Sequence, residues 1–140
     1  VGEFYDKPEI YTDVVQQNGT SDRVKFVNQF VPNEEVGKYF AAADVMVQPY
    51  RSATQSGILN VAYSFGVPAV VTRVGGLEEY VTDGVTGIVA PPESPEELAK
   101  AVVRFYSLRS TVDFTANIRD RVSRSAFHGI TDVFDQILSA

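Results

Sequence analysis

The sequence has 140 residues, 44% of them apolar, which suits one domain with a core of ordinary size and is too short for two. Its formal net charge of −6 and the lack of a Lys or Arg cluster argue against a nucleic-acid surface, so we expect no nucleic-acid partner. There is no cysteine and His128 is the single histidine, which excludes disulfides, thiolate metal sites and histidine clusters. No apolar run approaches the roughly 18 residues that span a bilayer and no signal-peptide pattern is present, so we expect a cytoplasmic location.

Short β-branched runs alternate along the chain with segments of helical period. The runs predict strands at residues 24–27, 45–47, 69–72 and 87–89. This alternation is typical of a parallel sheet that is covered by helices. The sequence therefore predicts an α/β fold with a parallel sheet.

Helices are predicted between these strands and after them. One begins near Asn33, and a second runs from Ile58 to Phe65 and is closed by Gly66 in the C′ position. A third begins at Ser94-Pro95-Glu96-Glu97, where Ser94 can cap the first turn. Residues 110–140 are predicted to form C-terminal helices with a break near His128-Gly129.

The most informative segment runs from Gln48 to Leu59, where a strand pattern passes through a hydroxyl-rich turn into a helix. Such a helix start has unpaired backbone N–H groups and a dipole that favours negative charge. Gly57 lets the backbone approach a ligand, and the hydroxyls of Thr54 and Ser56 add donors. The segment predicts a phosphate or diphosphate site. The alternative is that Ser56 only caps the helix.

The first residues read as the end of a strand that enters a glycine turn at Val1-Gly2-Glu3. We therefore expect the chain to begin inside a structural element and to be a piece of a longer protein.

Several short motifs follow one another in a definite order. They are Val24-Lys25-Phe26 through Val31-Pro32, Ala41 to Val45, Pro49-Tyr50 through Ala62, residues 65–72, 74–79 and 83–87, and Pro91-Pro92. In this order the chain resembles the C-terminal, donor-binding domain of the family-4 retaining glycosyltransferases, also described as glycosyl transferases group 1. The resemblance is close over residues 20–106.

This resemblance implies a Rossmann-like three-layer α/β/α domain that is one half of a GT-B fold. Residues 1–140 would form a single nucleotide-sugar-binding domain, and the N-terminal acceptor domain would be missing. The implied reaction moves a sugar from a nucleotide-diphosphate sugar to an acceptor hydroxyl, with retention and without a metal or other cofactor. The acceptor would be a glycan or glycolipid in polysaccharide biosynthesis, and contact with a membrane would come through the missing domain. The fragment alone is expected to be inactive.

The resemblance also assigns roles to residues. The diphosphate and sugar of the donor would lie at Thr54, Gln55, Ser56, Gly57 and Ile58, and the base at Phe30, Val31 and Pro32. Arg51 is a further diphosphate candidate, with a solvated loop arginine as the alternative, and Gly2 and Glu79 are additional candidates. For Phe30 the alternative is packing, and for Glu79 it is compensation of a helix dipole. No residue is assigned a catalytic role.

One departure from the family pattern concerns two glutamates that lie eight positions apart in typical members. Here these positions hold Ala53 and Val61. Thr54, Gln55 and Ser56 could supply neutral hydrogen bonds in their place. The departure motivates one alternative, a nucleotide- or phosphate-binding module without transferase activity. A second alternative is a structural interaction domain, which would leave the turn from Thr54 to Gly57 unoccupied. A hexosamine epimerase, which shares the two-domain architecture, ranks below both because the segment lacks the His and acidic groups expected of such an enzyme.

Overall fold

The structure, a computed structural model, describes residues 1–53 and 56–125. It divides into two compact units, Val1–Tyr39 and a second unit that begins at Phe40. The elements in chain order are α1 Glu9–Gln17, α2 Asn33–Ala42, β1 Met46–Gln48, α3 Gly57–Ser64, β2 Ala69–Thr72, α4 Leu77–Tyr80, β3 Gly87–Ala90 and α5 Pro95–Leu108, and residues 114–125 are also helical. Among the described residues, no helix is both long and apolar enough to cross a membrane.

The first unit differs from the prediction at residues 24–27, where we expected a strand. That prediction was wrong, because a strand needs a ladder of repeated backbone pairs. Two backbone hydrogen bonds are found at this run, from the Gly2 amide to the Val27 carbonyl at 3.0 Å and from the Val24 amide to the Thr20 carbonyl at 3.2 Å, and they do not form a ladder. Helix α1 was not predicted, and none of its residues is buried.

The second unit contains a parallel sheet in the order β1-β2-β3. Met46 pairs with Ala69, which in turn pairs with Gly87. The three strands predicted at residues 45–47, 69–72 and 87–89 are therefore confirmed, with small shifts at their ends. Because all three are parallel, their carboxyl ends lie along one edge of the sheet.

Helical layers cover both faces of this sheet. On one face, Val71 of β2 packs with Leu59 of α3, Leu77 of α4 and Ile118. On the other face, the neighbouring Val70 packs with Phe105 of α5. Successive side chains of a strand point to opposite faces, so β2 joins the two cores, and the three-layer α/β/α arrangement is confirmed.

The predicted helix ends are found where the sequence placed them. The backbone N–H of Glu97 donates to Ser94 Oγ at 3.3 Å, with Pro95 as the first residue of α5. Gly66 follows α3 with a φ of 72°, a left-handed conformation that suits glycine. Of the predicted C-terminal helices, residues 114–125 are helical, and the break near His128-Gly129 lies outside the described residues.

Candidate functional site

The candidate site lies in the second unit, where the loop after β1 enters α3. Thr72, the last residue of β2, anchors this loop through its hydroxyl. Thr72 Oγ1 donates to the carbonyl of Tyr50 at 2.6 Å and lies 3.4 Å from the carbonyl of Gln48. Open parallel sheets bind ligands at this carboxyl edge, so the loop has the position that such a site requires.

Ser56 occupies the N-cap position of α3 but does not cap the helix with its side chain. Its backbone is extended, with φ −131° and ψ 105°, and no side-chain cap hydrogen bond is formed. The hydroxyl instead accepts a hydrogen bond from Nε2 of Gln48 at 2.8 Å. The alternative that Ser56 only caps the helix with its side chain is therefore not what the structure shows.

The first turn of α3 presents backbone donors. The Leu59 N–H bonds to the Ser56 carbonyl at 3.2 Å, whereas the N–H groups of Gly57 and Ile58 precede any intrahelical acceptor. A Cβ added to Gly57 would meet no atom within 4 Å. Gly57 is thus required neither by packing against the described residues nor by a positive φ, and no described atom fills the space beside its backbone.

Gln48 is a site residue that the sequence analysis missed. Its side chain is 4% exposed at the end of β1, and Nε2 lies 3.5 Å from the hydroxyl of Tyr50 as well as 2.8 Å from Ser56 Oγ. In the described part of the chain, its Oε1 is buried without a hydrogen-bond partner. The available signal was a polar residue inside a buried strand pattern, where polar side chains usually have a specific partner.

Arg51, another predicted site residue, is exposed on the loop between β1 and α3. It lines a cleft of about 480 Å³ together with Pro49, Thr72 and Ser94. Within residues 1–53 and 56–125 it forms no ion pair, although Glu93 lines the same cleft. The predicted site residues Thr54 and Gln55 lie outside the described residues.

The residues predicted to bind the base belong to the first unit. Phe30 is 71% exposed, so the alternative of a buried packing role does not hold for it. Val31 is half-buried, and Pro32 is exposed, with its carbonyl accepting from the Glu35 N–H at 2.9 Å. Gly2 belongs to the same unit and has a φ of 124°.

Glu79 lies in α4 and is exposed, and its carbonyl accepts a hydrogen bond from Arg121 at 2.8 Å. The neighbouring Glu78 pairs with Arg73 at 3.4 Å. Both acids lie in the first turn of α4, which is the position that the alternative of helix-dipole compensation predicts for Glu79. Among the described residues, no three His, Asp or Glu side chains are grouped in a way that could hold a metal ion.

Ala53 and Val61 stand where typical family members have two glutamates, and both apolar side chains are partly buried. Ala53 packs against the core that contains Leu59, and Val61 is half-buried in α3. Among its described residues, the candidate site therefore offers neutral side chains and backbone N–H groups at the start of α3, with Arg51 as the cation on its loop and Glu93 in the same cleft.

A parallel sheet with helices on both faces and a donor-rich turn at the carboxyl edge defines a Rossmann-like α/β domain. The chain belongs to the family described as glycosyl transferases group 1, whose model matches residues 1–107. Curated relatives include the D-inositol 3-phosphate glycosyltransferases of Streptosporangium roseum, 32% identical over 71% of this chain, and of Streptomyces griseus, 35% identical over 71%. The chain covers 22% and 21% of these relatives, about a fifth of their length.

Solved structures share the fold. Sucrose-phosphate synthase from Thermosynechococcus elongatus superposes with a TM-score of 0.77 at 25% identity, over 99% of this chain and 37% of that one. The Anabaena HepE structure in complex with UDP-glucose gives a TM-score of 0.75 at 21% identity, over 99% and 39%. The predicted fold, one half of a GT-B glycosyltransferase, is thus confirmed.

Proposed function

We propose that residues 1–140 form the donor-binding domain of a retaining glycosyltransferase that takes a nucleotide-diphosphate sugar and transfers the sugar to an acceptor hydroxyl. The diphosphate binds at the start of α3, through Thr54, Gln55, Ser56, Gly57 and Ile58, with Arg51 on the adjoining loop. The base rests on Phe30, Val31 and Pro32, and Gly2 and Glu79 are secondary candidates.

The observation that carries this proposal is the state of the α3 N-terminus. The N–H groups of Gly57 and Ile58 have no acceptor within the helix, and the Ser56 side chain does not cap them. The helix follows the carboxyl edge of a parallel sheet, and the space beside Gly57 is open. A diphosphate supplies the oxygen acceptors and the negative charge that such a helix start favours.

These donors also suit the chemistry of glycosyl transfer. When the bond between the sugar and the diphosphate breaks, negative charge grows on the leaving phosphate oxygens. Preformed N–H groups stabilise that charge without reorganisation, as donors in oxyanion sites do. We expect no metal and no further cofactor, because backbone donors and Arg51 perform the electrostatic role.

The comparisons support the proposal in two ways. The curated relatives are named glycosyltransferases, and a structure with the same fold, Anabaena HepE, was solved with UDP and with UDP-glucose. UDP is therefore the first nucleotide to test. The acceptor, a glycan or glycolipid, would be held by a second domain, so we expect the chain alone to bind the donor but hardly to turn over. We place the enzyme in the cytoplasm, in polysaccharide biosynthesis.

A second candidate function is a nucleotide- or phosphate-binding module without transferase activity. The apolar residues at positions 53 and 61 favour it, because Ala53 and Val61 offer no carboxylate to the donor sugar or ribose. Such a module would bind the nucleotide diphosphate and discriminate little between UDP and UDP-glucose.

The test is isothermal titration of the full chain with UDP, GDP, ADP and CMP, repeated with Gly57→Val and with Ser64→Val as the matched control. Ser64 is exposed at the other end of α3, so its variant adds the same branched side chain away from the turn. We expect one nucleoside diphosphate to bind, Gly57→Val to lose at least about tenfold in affinity, and Ser64→Val to keep wild-type affinity. A folded chain that binds none of the four nucleotides would overturn the proposal.

A further inference from the structure

The hydrogen bonds of the Gln48 side chain are unevenly distributed. Nε2 faces two hydroxyl oxygens, at 2.8 Å in Ser56 and 3.5 Å in Tyr50. Oε1 is buried and has no partner in the described part of the chain. A buried carbonyl without a partner costs folding free energy, so folding alone does not account for this arrangement.

The arrangement has a clear effect on Ser56. Its oxygen is engaged as an acceptor, so its own proton stays available to donate to something else. The hydroxyl is also kept away from the N–H groups of α3, which has eight residues and no side-chain cap. A helix start with free N–H groups and a free hydroxyl proton presents donors only, as an anion requires.

We propose that Gln48 is a positioning residue, whose buried amide holds the Ser56 hydroxyl so that its proton and the first N–H groups of α3 point together at the donor diphosphate. This inference rests on the proposed function and adds a residue that acts through Ser56. A neutral amide is suited to the task, because it donates to Ser56 without bringing a negative charge close to the phosphates.

Two substitutions separate this role from a merely structural one. Gln48→Met keeps a similar volume but has no donor, so Ser56 is free to cap α3 and affinity for the diphosphate falls at every pH. Gln48→Glu keeps the shape. When ionised, its carboxylate accepts the Ser56 proton and repels the phosphates, whereas the protonated acid can donate to Ser56 much as the amide does.

The pH profile follows from the sign of this titration. Burial raises the pKa of a carboxyl group, so the carboxyl introduced by Gln48→Glu becomes protonated as the pH falls. We expect the UDP affinity of this variant, relative to wild type, to be reduced at least about tenfold near pH 8 and to recover toward wild type near pH 5. Gln48→Met should show a similar loss with no recovery. Gln17→Glu, an exposed change in α1, adds the same charge elsewhere and is the control.

The measurement is isothermal titration of the full chain with UDP at both pH values, with near-UV circular dichroism to confirm folding of each variant. If wild type binds UDP and both Gln48 variants bind within about twofold of it, the positioning role is overturned and the proposed function stands. If folded wild type also binds none of the four nucleotides tested above, UDP, GDP, ADP and CMP, both the positioning role and the proposed function fall. At any pH where Gln48→Glu is unfolded, the UDP affinity of Gln48→Met decides the outcome.

Discussion

The hydroxyl of Thr72, at the end of β2, donates to the backbone carbonyl of Tyr50 at 2.6 Å, and this bond joins the ends of two neighbouring strands. Thr72 is 3% exposed, so the donor side of this part-buried bond lies inside the domain. The loop that carries Arg51 therefore depends on β2 for its shape as well as on β1. A change at Thr72 should therefore alter the loop between β1 and α3.

Replacing Thr72 with Val tests this dependence. Valine has nearly the same shape but cannot donate, so the Tyr50 carbonyl loses its partner, and we expect the free energy of unfolding to fall by about 1–3 kcal/mol. UDP affinity should fall as well, because the loop is less ordered. Urea unfolding measures the free energy of unfolding, and titration measures the UDP affinity. Thr111→Val, which removes an exposed local hydrogen bond to Leu108, is the control. A Thr72 variant with wild-type stability would contradict the anchoring role.

Replacing each of two glycines of the second unit with alanine should change the stability of the protein in opposite directions. Gly57 has open space at its Cβ position, so Gly57→Ala should raise stability by about 0.4–1 kcal/mol while weakening nucleotide binding. A Cβ at Gly87 would lie 2.1 Å from the Ala69 carbonyl oxygen of the paired strand, so Gly87→Ala should lower stability by about 1–3 kcal/mol or more. Thermal unfolding and UDP titration check both. Equal destabilisation by the two variants would contradict the prediction that only Gly87→Ala lowers stability.

The buried hydroxyl of Tyr63 predicts a loss of stability at alkaline pH. Burial, partly offset by the hydrogen bond to Thr86 and by Arg121, raises the pKa of Tyr63 above its usual value of 10.0. The unfolded chain therefore ionises first, and the contribution of Tyr63 is complete below about pH 10 and falls as the pH rises beyond it.

Tyr63→Phe removes this contribution. It should cost about 0.5–1.5 kcal/mol at neutral pH, because the bonds to the Thr86 carbonyl and hydroxyl are lost. The stability gap to wild type should narrow as the pH rises above about 10. Urea unfolding at neutral and alkaline pH measures the gap, with the exposed Tyr106 changed to Phe as the control. A gap that is the same at both pH values would refute the assignment.

Local sequence patterns were sufficient where a structure is set by nearby residues. The cap at Ser94 depends on Pro95 and Glu97 within one turn, and the helix end at Gly66 depends on a conformation that glycine adopts easily. The three strands of the sheet were found because each is a short β-branched run between helices. In each case the deciding contacts lie within a few residues or follow a simple alternation.

The pattern was insufficient where a distant residue decides the outcome. Ser56 has the sequence of a cap, but Gln48, eight positions earlier, engages its hydroxyl. The run at residues 24–27 has β-branched residues, yet a strand requires a paired neighbour, which composition does not specify. Gln48 itself was overlooked because a polar residue in a buried strand indicates that it has a partner, but the sequence does not say which residue that partner is.

The charge of Arg51 yields the last prediction, because this side chain lines the cleft beside the donor turn and has no described ion-pair partner. If it contacts the diphosphate, Arg51→Gln should weaken UDP binding about tenfold and make the remaining affinity less sensitive to salt, since one screened attraction is removed. Titrations at low and high ionic strength measure both effects. Arg23→Gln, in the exposed pair with Asp22, removes the same charge from the first unit and should change neither. Unchanged affinity and salt dependence in Arg51→Gln would mean that the loop arginine is only solvated, and that the backbone N–H groups of α3 hold the diphosphate without it.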